Sequence, residues 1–161
     1  MHVDPLEKIW IGIVILLTAV MLGSIFYTAF AGSVHPPSNV EVVDSTALHL
    51  TEEFAEDNLG VRDNEDGSVT VTMVATRYGF YPQHVEIPAK TPVTFRFATP
   101  DTLHGLHIPT TNVDTMVIPG YVSEVNTELQ STGTFPMYCN EYCGVGHHAM
   151  WSRVTIVPPK G

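Results

Sequence analysis

Both cysteines of the chain lie in one short stretch, CNEYCGVGHHAM, at positions 139–150. The same stretch holds two of the eight histidines and one of the six methionines. Sulfur and imidazole donors favour copper or zinc, whereas hard cations prefer carboxylate and carbonyl oxygens. The order Cys139, Cys143, His147 and Met150 therefore indicates a transition-metal site.

Four simpler interpretations each leave part of this motif without a role. Structural zinc takes four Cys or His ligands, often as a CxxC pair, and has little use for methionine. A disulfide would close a loop of a few residues, add little stability and leave the histidine and methionine unexplained. A blue-copper site needs a single cysteine, so the second would be surplus. A catalytic Cys–His pair would need an orienting or oxyanion motif, and we recognise none in the sequence.

A dinuclear copper site uses all four of these donors, Cys139, Cys143, His147 and Met150. Two thiolates that each bridge two copper ions need two imidazoles and two weak axial ligands to complete the set. His147 supplies one imidazole from the motif itself. His104, in DTLHGLHIP about 35 residues upstream of Cys139, follows a predicted strand and is placed to supply the other from a neighbouring strand.

The elements that must position these donors are short β-strands. SVTVTMVA (68–75) and TPVTFRF (91–97) alternate apolar and polar residues with period two, as half-buried strands do. Segments 121–129 and 151–157 are similar, and prolines and glycines separate the runs at short intervals. The pattern predicts an all-β sandwich or barrel over 68–161.

An uncharged apolar run occupies 9–31 and is long enough to cross a membrane. As a helix it would reach about 34 Å, against roughly 30 Å for a hydrocarbon core. Trp10 and Tyr27 suit the two interfaces. A cleaved signal peptide is the alternative, but the run is too long and the flank before it carries two acidic residues against one lysine. We predict a retained transmembrane helix at 9–31, preceded by a cytoplasmic segment at 1–8.

The rest of the chain is acidic. Of the 17 acidic and 7 basic residues, all but Asp4, Glu7 and Lys8 follow the apolar run, which leaves 15 against 6. Nucleic acid is disfavoured as a partner, because phosphate binding needs clustered positive charge. The negative electrostatic potential of such a domain favours a basic partner protein, although a solvated surface without a partner explains the excess of acidic residues equally well. We predict a linker and an acidic surface excursion at 32–67.

The motifs HGLH and CNEYCGVGHHAM, on a β-rich domain behind one membrane helix, closely resemble subunit II of the heme–copper terminal oxidases. The resemblance implies a cupredoxin-like Greek-key β-sandwich that carries the dinuclear copper centre CuA. His107 and His148 lie beside better-matched ligands, so for these two it implies at most hydrogen bonding to the ligand set. The ligand residues that it implies are the bridging thiolates of Cys139 and Cys143, the imidazoles of His104 and His147, the axial thioether of Met150 and the axial backbone carbonyl of Glu141.

The function implied is electron transfer in a respiratory oxidase. CuA would accept electrons from cytochrome c or a small copper protein and pass them to a heme in the catalytic subunit I. That subunit reduces dioxygen to water with proton pumping, so this chain would be the non-catalytic subunit of the enzyme. In TRYGFYP, Tyr78 and Phe80 match the family's aromatic stretch over CuA, as the surface through which electrons arrive or, equally well, as core residues.

Two departures from the commonest family pattern are visible. Most members have two membrane helices, whereas one helix resembles the B-type, ba-type branch, in which a further one-helix subunit completes the set. In the larger branch a Glu at the position of Glu141 also binds magnesium, whereas the B-type branch tends to carry Gln, so magnesium at Glu141 is a secondary alternative. Donors of this type lie outside the cytoplasmic membrane, which implies a periplasmic or extracellular domain after residue 32.

Two rival functions remain open at the level of sequence. A heme–copper nitric oxide reductase can also use a CuA subunit, because the chemistry of the gas occurs in the partner. A stand-alone membrane-anchored cupredoxin, serving as electron carrier or copper chaperone, would need no heme-bearing partner at all.

Overall fold

The computed structural model describes residues 4–31 and 38–159, which belong to two units, an N-terminal helix and a β-domain. Helix α1 spans Pro5–Ala31, and its Pro5–Phe30 stretch is long and apolar enough to cross a membrane. Asp4 caps the helix, since its carboxylate accepts from the Leu6 N–H at 2.8 Å. Between Ile9 and Phe30 the helix carries no charged side chain, as expected of a segment that spans a membrane.

Two β-sheets form the second unit. Their strands are β1 Ser38–Val42, β2 Gly60–Asp63, β3 Val69–Thr76, β4 Gly79–Tyr81, β5 His84–Pro88, β6 Pro92–Ala98, β7 His104–His107, β8 Asp114–Val117, β9 Tyr121–Glu128, β10 Gly133–Tyr138 and β11 Trp151–Val157. One sheet has the strand order β1-β9-β6-β3-β2, with β4 paired to β3, and the other has the order β5-β11-β10-β7-β8. The β3–β6 and β5–β11 pairs are parallel and the other pairs are antiparallel.

One hydrophobic core joins the two sheets. Val71 and Phe95 of the first sheet share a buried cluster with Ile87, Met137 and Val154 of the second. The alternation seen in the sequence therefore points one side chain in two into the space between the sheets. Burial of each such side chain contributes roughly 1.5–3 kcal/mol relative to its exposure in the unfolded chain. The predicted all-β sandwich behind one apolar helix is confirmed.

The segment predicted as a linker and surface excursion, 32–67, takes part in the sandwich where the structure describes it. Strand β1 pairs with β9 and β2 pairs with β3, and two short 3₁₀ helices lie between them at Ser45–Leu50 and Glu56–Asn58. Leu48 and Phe54 form a second small core with Ala98 and Val122. These elements are too short to show a periodic pattern, which is why the sequence indicated only a surface segment. Positions 32–37 lie outside the described residues.

Arg96 of β6 holds this segment by its charge. Its guanidinium pairs with the carboxylates of Glu41, Glu53 and Glu124, at 2.7 Å for Glu41 and Glu124. The hydrogen bond to Glu53 is the largest of the interactions that raise the pKa of Arg96. Part of the acidic charge of the domain is therefore paired with Arg96 rather than with solvent alone.

Candidate metal centre

The motif 139–150 connects β10 and β11, which are adjacent antiparallel strands. The loop is closed at its base, where the Cys139 N–H donates to the Met150 carbonyl at 3.1 Å. A 3₁₀ turn, His147–Ala149, lies near its end, and the first N–H of this turn donates to the carbonyl of Gly144 at 3.1 Å. Because two paired strands fix both ends, the loop presents its side chains from a stable base.

Sulfur and imidazole atoms of the loop converge on Cys143. Its Sγ lies 3.9 Å from Cys139 Sγ, 3.7 Å from Nδ1 of His147 and 3.6 Å from Sδ of Met150. Cys139 Sγ lies 3.1 Å from the carbonyl oxygen of Glu141. Both cysteines are free and buried, and their sulfurs stand well beyond the roughly 2.05 Å of a disulfide bond. The arrangement matches a pair of ligand thiols rather than a cross-link.

His104 brings the second imidazole from β7, which pairs with β10. Its Nδ1 lies 3.9 Å from Cys139 Sγ, and its side chain is fully buried. One donor atom each from His104, Cys139 and Cys143 lie within 4.8 Å of one another. The structure thus brings all six residues predicted as ligands into one cluster.

Asp101 orients His104. Its Oδ1 lies 2.9 Å from Nε2 of the imidazole, which leaves Nδ1 facing the cysteines. The carboxylate also accepts the backbone N–H groups of Arg77 at 2.8 Å and Thr102 at 2.6 Å. A ligand imidazole held through its other nitrogen keeps one tautomer and one ring orientation.

Two close approaches in the site leave space only for glycine. A Cβ on Gly105 would lie 2.0 Å from Oδ1 of Asn140 and 3.0 Å from the backbone nitrogen of Glu141. A Cβ on Gly146 would lie 2.4 Å from the ring of Tyr78. Strand β7 and the β3–β4 turn therefore press directly against the loop from two sides.

The two thiols have unlike proton affinities. Burial raises the pKa of Cys139, but hydrogen bonds with His104 and with the backbone at Glu141 and Gly105 outweigh burial and lower it below the usual range. Burial and the neighbouring charge of Cys139 raise the pKa of Cys143. The thiolate is the form that binds metal, so Cys139 is the more readily available ligand of the pair.

The remaining predicted residues divide between surface and core. Tyr78 is half exposed and lies over the loop, whereas Phe80 is fully buried in the main core, where it presents no surface to a donor. Nδ1 of His107 lies 3.1 Å from Oδ2 of Asp114, and its ring lies beside that of Tyr138 rather than beside the thiols. His148 is exposed on the 3₁₀ turn.

Sequence reasoning missed the residues that support the donors. Asp101 lies three positions before His104, which is a local signal that could have been used. Arg77 donates through Nε to the carbonyl of Cys143 at 3.2 Å, across 66 positions of sequence, and no local pattern indicates that contact. Gly105 and Gly146 are indistinguishable in the sequence from turn glycines.

Comparison of the sequence with known proteins identifies one family and several similar proteins. The family described as cytochrome c oxidase subunit II, periplasmic domain, matches residues 72–157, a range that includes all six clustered donors. The chain belongs to the cytochrome c oxidase subunit II family. A cytochrome c oxidase subunit 2 of Thermus thermophilus is 30% identical over 152 residues, which cover 93% of this chain and 90% of that one. Another subunit 2 from the same species is 31% identical over 121 residues, 75% of this chain and 90% of the relative.

Solved structures agree with this assignment. A chain of a heme–copper terminal oxidase dimer, determined by cryo-EM, matches with a TM-score of 0.73 and 25% identity over 94% of this chain and 99% of that one. The periplasmic domain of cytochrome oxidase subunit II from Bradyrhizobium japonicum matches with a TM-score of 0.51 and 18% identity, over 55% and 83%. The second match shows that the β-domain by itself is similar in fold to an isolated periplasmic domain. The cupredoxin-like fold expected of a subunit II is thus confirmed.

Proposed function

We propose that this chain is the electron-accepting CuA subunit of a respiratory cytochrome c oxidase. The observation that carries the proposal is the convergence of six donor groups, one from β7 and five from the loop between β10 and β11. Family membership and the long match to a chain of a terminal oxidase support it. Helix α1 would anchor the subunit in the cell membrane, with the β-domain on the periplasmic or extracellular side.

The donor set fits two copper ions. Cys139 and Cys143 would bridge the ions, and His104 and His147 would each bind one of them through Nδ1. The Met150 thioether and the Glu141 carbonyl would complete the set as weak axial ligands. When bound, such a centre takes up and releases one electron whose charge is spread over both metals and both sulfurs. A mononuclear site would leave one of the two buried thiols without a role.

The chain's own residues would keep the geometry constant during electron transfer. The two cysteines and Met150 are almost completely buried, so water is excluded from the sulfurs. The bond between Cys139 and Met150 closes the loop, and Asp101 fixes the ring of His104. A site whose ligands move little between oxidation states transfers electrons with a small reorganisation cost.

Exposed apolar side chains on the loop and at its end offer a surface for the electron donor. Tyr142 and Val145 of the loop are 72% and 86% exposed, and Trp151, which follows the loop, is 53% exposed. Tyr78 lies against the two glycines on either side of Val145. Aromatic and aliphatic groups of this kind suit a short-lived contact with cytochrome c or a small copper protein. Electrons would leave for a heme of the catalytic subunit, where dioxygen is reduced to water with proton pumping.

Within the described residues α1 is the one helix long and apolar enough to span a membrane, an arrangement that resembles the B-type branch, so the complex would include a further small membrane subunit. Magnesium at Glu141 is a separate question. Within the described ranges, the one group of three or more His, Cys, Asp or Glu side chains suited to a metal is that of His104, Cys139 and Cys143. A magnesium ion held by the Glu141 carboxylate would therefore need ligands from the catalytic subunit.

Purification of the intact complex tests the proposal. We expect the chain to co-purify with a heme-bearing membrane subunit, to contain two coppers, and to give electron paramagnetic resonance (EPR) hyperfine structure from two equivalent copper nuclei. One copper with four hyperfine lines would indicate a blue-copper site, and a preparation without heme would indicate a stand-alone carrier. Consumption of nitric oxide without consumption of dioxygen would indicate a nitric oxide reductase.

A further inference from the structure

Arg77 contacts both stretches of chain that carry the donors. It lies in the turn between β3 and β4, and its backbone N–H donates to Oδ2 of Asp101 at 2.8 Å. Its side-chain Nε–H donates to the carbonyl of Cys143 at 3.2 Å. One residue outside the ligand set therefore bonds to the loop before β7 and to the loop after β10.

These contacts form a continuous hydrogen-bonded path. Asp101, which accepts from Arg77, also binds Nε2 of His104 through its other oxygen at 2.9 Å. The path runs from the His104 imidazole through Asp101 and Arg77 to the backbone of Cys143. This path relates the positions of His104 and Cys143 at the end of the sandwich, in addition to the pairing of β7 with β10.

The residue after Arg77 contacts the same loop. A Cβ on Gly144 would lie 2.6 Å from the hydroxyl oxygen of Tyr78, and one on Gly146 would lie 2.4 Å from a carbon of its ring. The β3–β4 turn therefore contacts the loop at Cys143, Gly144 and Gly146. Because Tyr78 packs so closely against the loop, the adjacent Arg77 has little freedom to move away from the carbonyl of Cys143.

We propose that Arg77 is a positioning residue for the copper site, which holds the Cys143 side of the loop at a fixed distance from His104. The inference rests on the proposed copper function and goes beyond it by assigning a role to a residue outside the ligand set. Arginine suits this role because its planar guanidinium donates in a fixed direction, whereas the ammonium of lysine is a flexible point charge. Residues that hold metal ligands in place affect metal affinity by about 10–100-fold when they are lost.

The test uses the full-length chain in detergent, loaded with copper, and two substitutions of Arg77. Arg77→Met removes the charge and the Nε–H but leaves the backbone N–H to Asp101. Arg77→Lys keeps the charge and loses the fixed donor. We expect both variants to release copper to a chelator at about tenfold lower concentration than the original chain. We also expect both to give EPR hyperfine lines that report unequal sharing of the electron between the two coppers.

Arg62→Met is the matched control, because Arg62 is an exposed arginine of β2 in the same domain. It should leave both copper release and the hyperfine pattern unchanged. Unfolding of the copper-free proteins is measured in parallel. If Arg77→Met lowers the unfolding temperature while copper release and hyperfine pattern match the original chain, the role is structural only and the inference is wrong.

Arg77→Lys distinguishes an effect of the directed Nε–H donor from an effect of the positive charge alone. If Arg77→Lys behaves as the original chain while Arg77→Met does not, the charge alone acts and the inference is also wrong. Failure of the proposed function has a different signature, since the original chain itself would then fail to bind two coppers. Two coppers in the original chain with unaltered Arg77 variants would overturn this inference alone.

Discussion

The two imidazoles assigned to the copper site occupy unlike surroundings. His104 opens strand β7, is fully buried and is held through Nε2 by Asp101. His147 lies in a single 3₁₀ turn and is partly exposed, and its ring is tilted by 61° to the exposed Tyr142 ring, with 5.9 Å between the two ring centroids. The two histidines thus differ in what holds them, since the sheet fixes His104 and a surface loop carries His147. We call the two sides of the site, one with His104 and Cys139 and one with His147 and Cys143, its two halves.

The thiols repeat this difference. Hydrogen bonds around Cys139, of which the one with His104 is the largest, outweigh burial and lower its pKa, whereas burial and the charge of Cys139 raise the pKa of Cys143. The half with the buried histidine is therefore preorganised as an anionic ligand before metal arrives. The other half lies beside the exposed side chains where we place the electron donor. One side of the site is therefore rigid, and the other side is accessible to a partner protein.

The largest effect should come from removing one of the two sulfurs that we propose as bridges, since this would disrupt the sites of both copper ions. Cys143→Ser keeps the size of the side chain but replaces a soft ligand by a hydroxyl that remains protonated near neutral pH. We expect complete loss of the two-copper EPR signal and of electron acceptance from the donor. Cys139→Ser should do the same, and a preserved mixed-valence signal in either variant would contradict the assignment of both sulfurs as bridges.

Replacing each imidazole by glycine should separate the halves. In His147→Gly, imidazole added to the solvent can reach the vacated position, so we expect recovery of two bound coppers at high imidazole concentration. In His104→Gly the vacated position is buried, so added imidazole cannot reach it and we expect no rescue. Loss of the hydrogen bond between His104 and Asp101 should also cost about 1–3 kcal/mol in the free energy of unfolding. Copper content and thermal unfolding, each measured with and without imidazole, check the pair. Equal rescue of both variants would mean that the difference in exposure has no consequence for ligand binding.

A smaller effect is expected where the sheet presses on the loop. Gly105→Ala places a methyl group against Asn140 and the backbone of Glu141, and we expect a loss of about 1–3 kcal/mol in the free energy of unfolding. The double variant Gly105→Ala with Asn140→Ala removes the side-chain clash but not the one with the backbone. It should recover part of the loss, as measured by chemical denaturation. Full recovery would show that strand and loop are not in firm contact at this point.

The smallest effect should follow His148→Ala, the neighbour of His147. His148 is exposed, and its substitution removes no buried contact. We expect copper content, EPR spectrum and unfolding temperature to remain within experimental error of the original chain. His147→Ala provides the matched comparison, since it should lose copper. A similar loss from both would mean that the loop can exchange the two histidines as ligands.

Sequence reasoning predicted the six residues that the structure brings into one cluster, but not the residues that hold them in place. Soft ligands at short spacing are a local property of the chain, and His104 could be added because it follows a strand that alternation made visible. Phe80 shows the limit of this approach, because an aromatic residue in a three-residue strand carries no sign of which side it faces. Arg77 and the three carboxylates around Arg96 act across tens of positions, and such contacts exist only once the sheets have assembled.

The concentration of five donors in one closed loop also bears on the order in which the site can assemble. Cys139 and Cys143 are separated by 4 positions, whereas Cys139 and His104 are separated by 35. Closing the longer segment costs about 2 kcal/mol more in chain entropy than closing the shorter one. Before the sandwich has folded, the donors of the loop therefore lie close to one another at little entropic cost, whereas the imidazole of His104 reaches Cys139 only when β7 pairs with β10. The complete donor set thus depends on the docking of one strand.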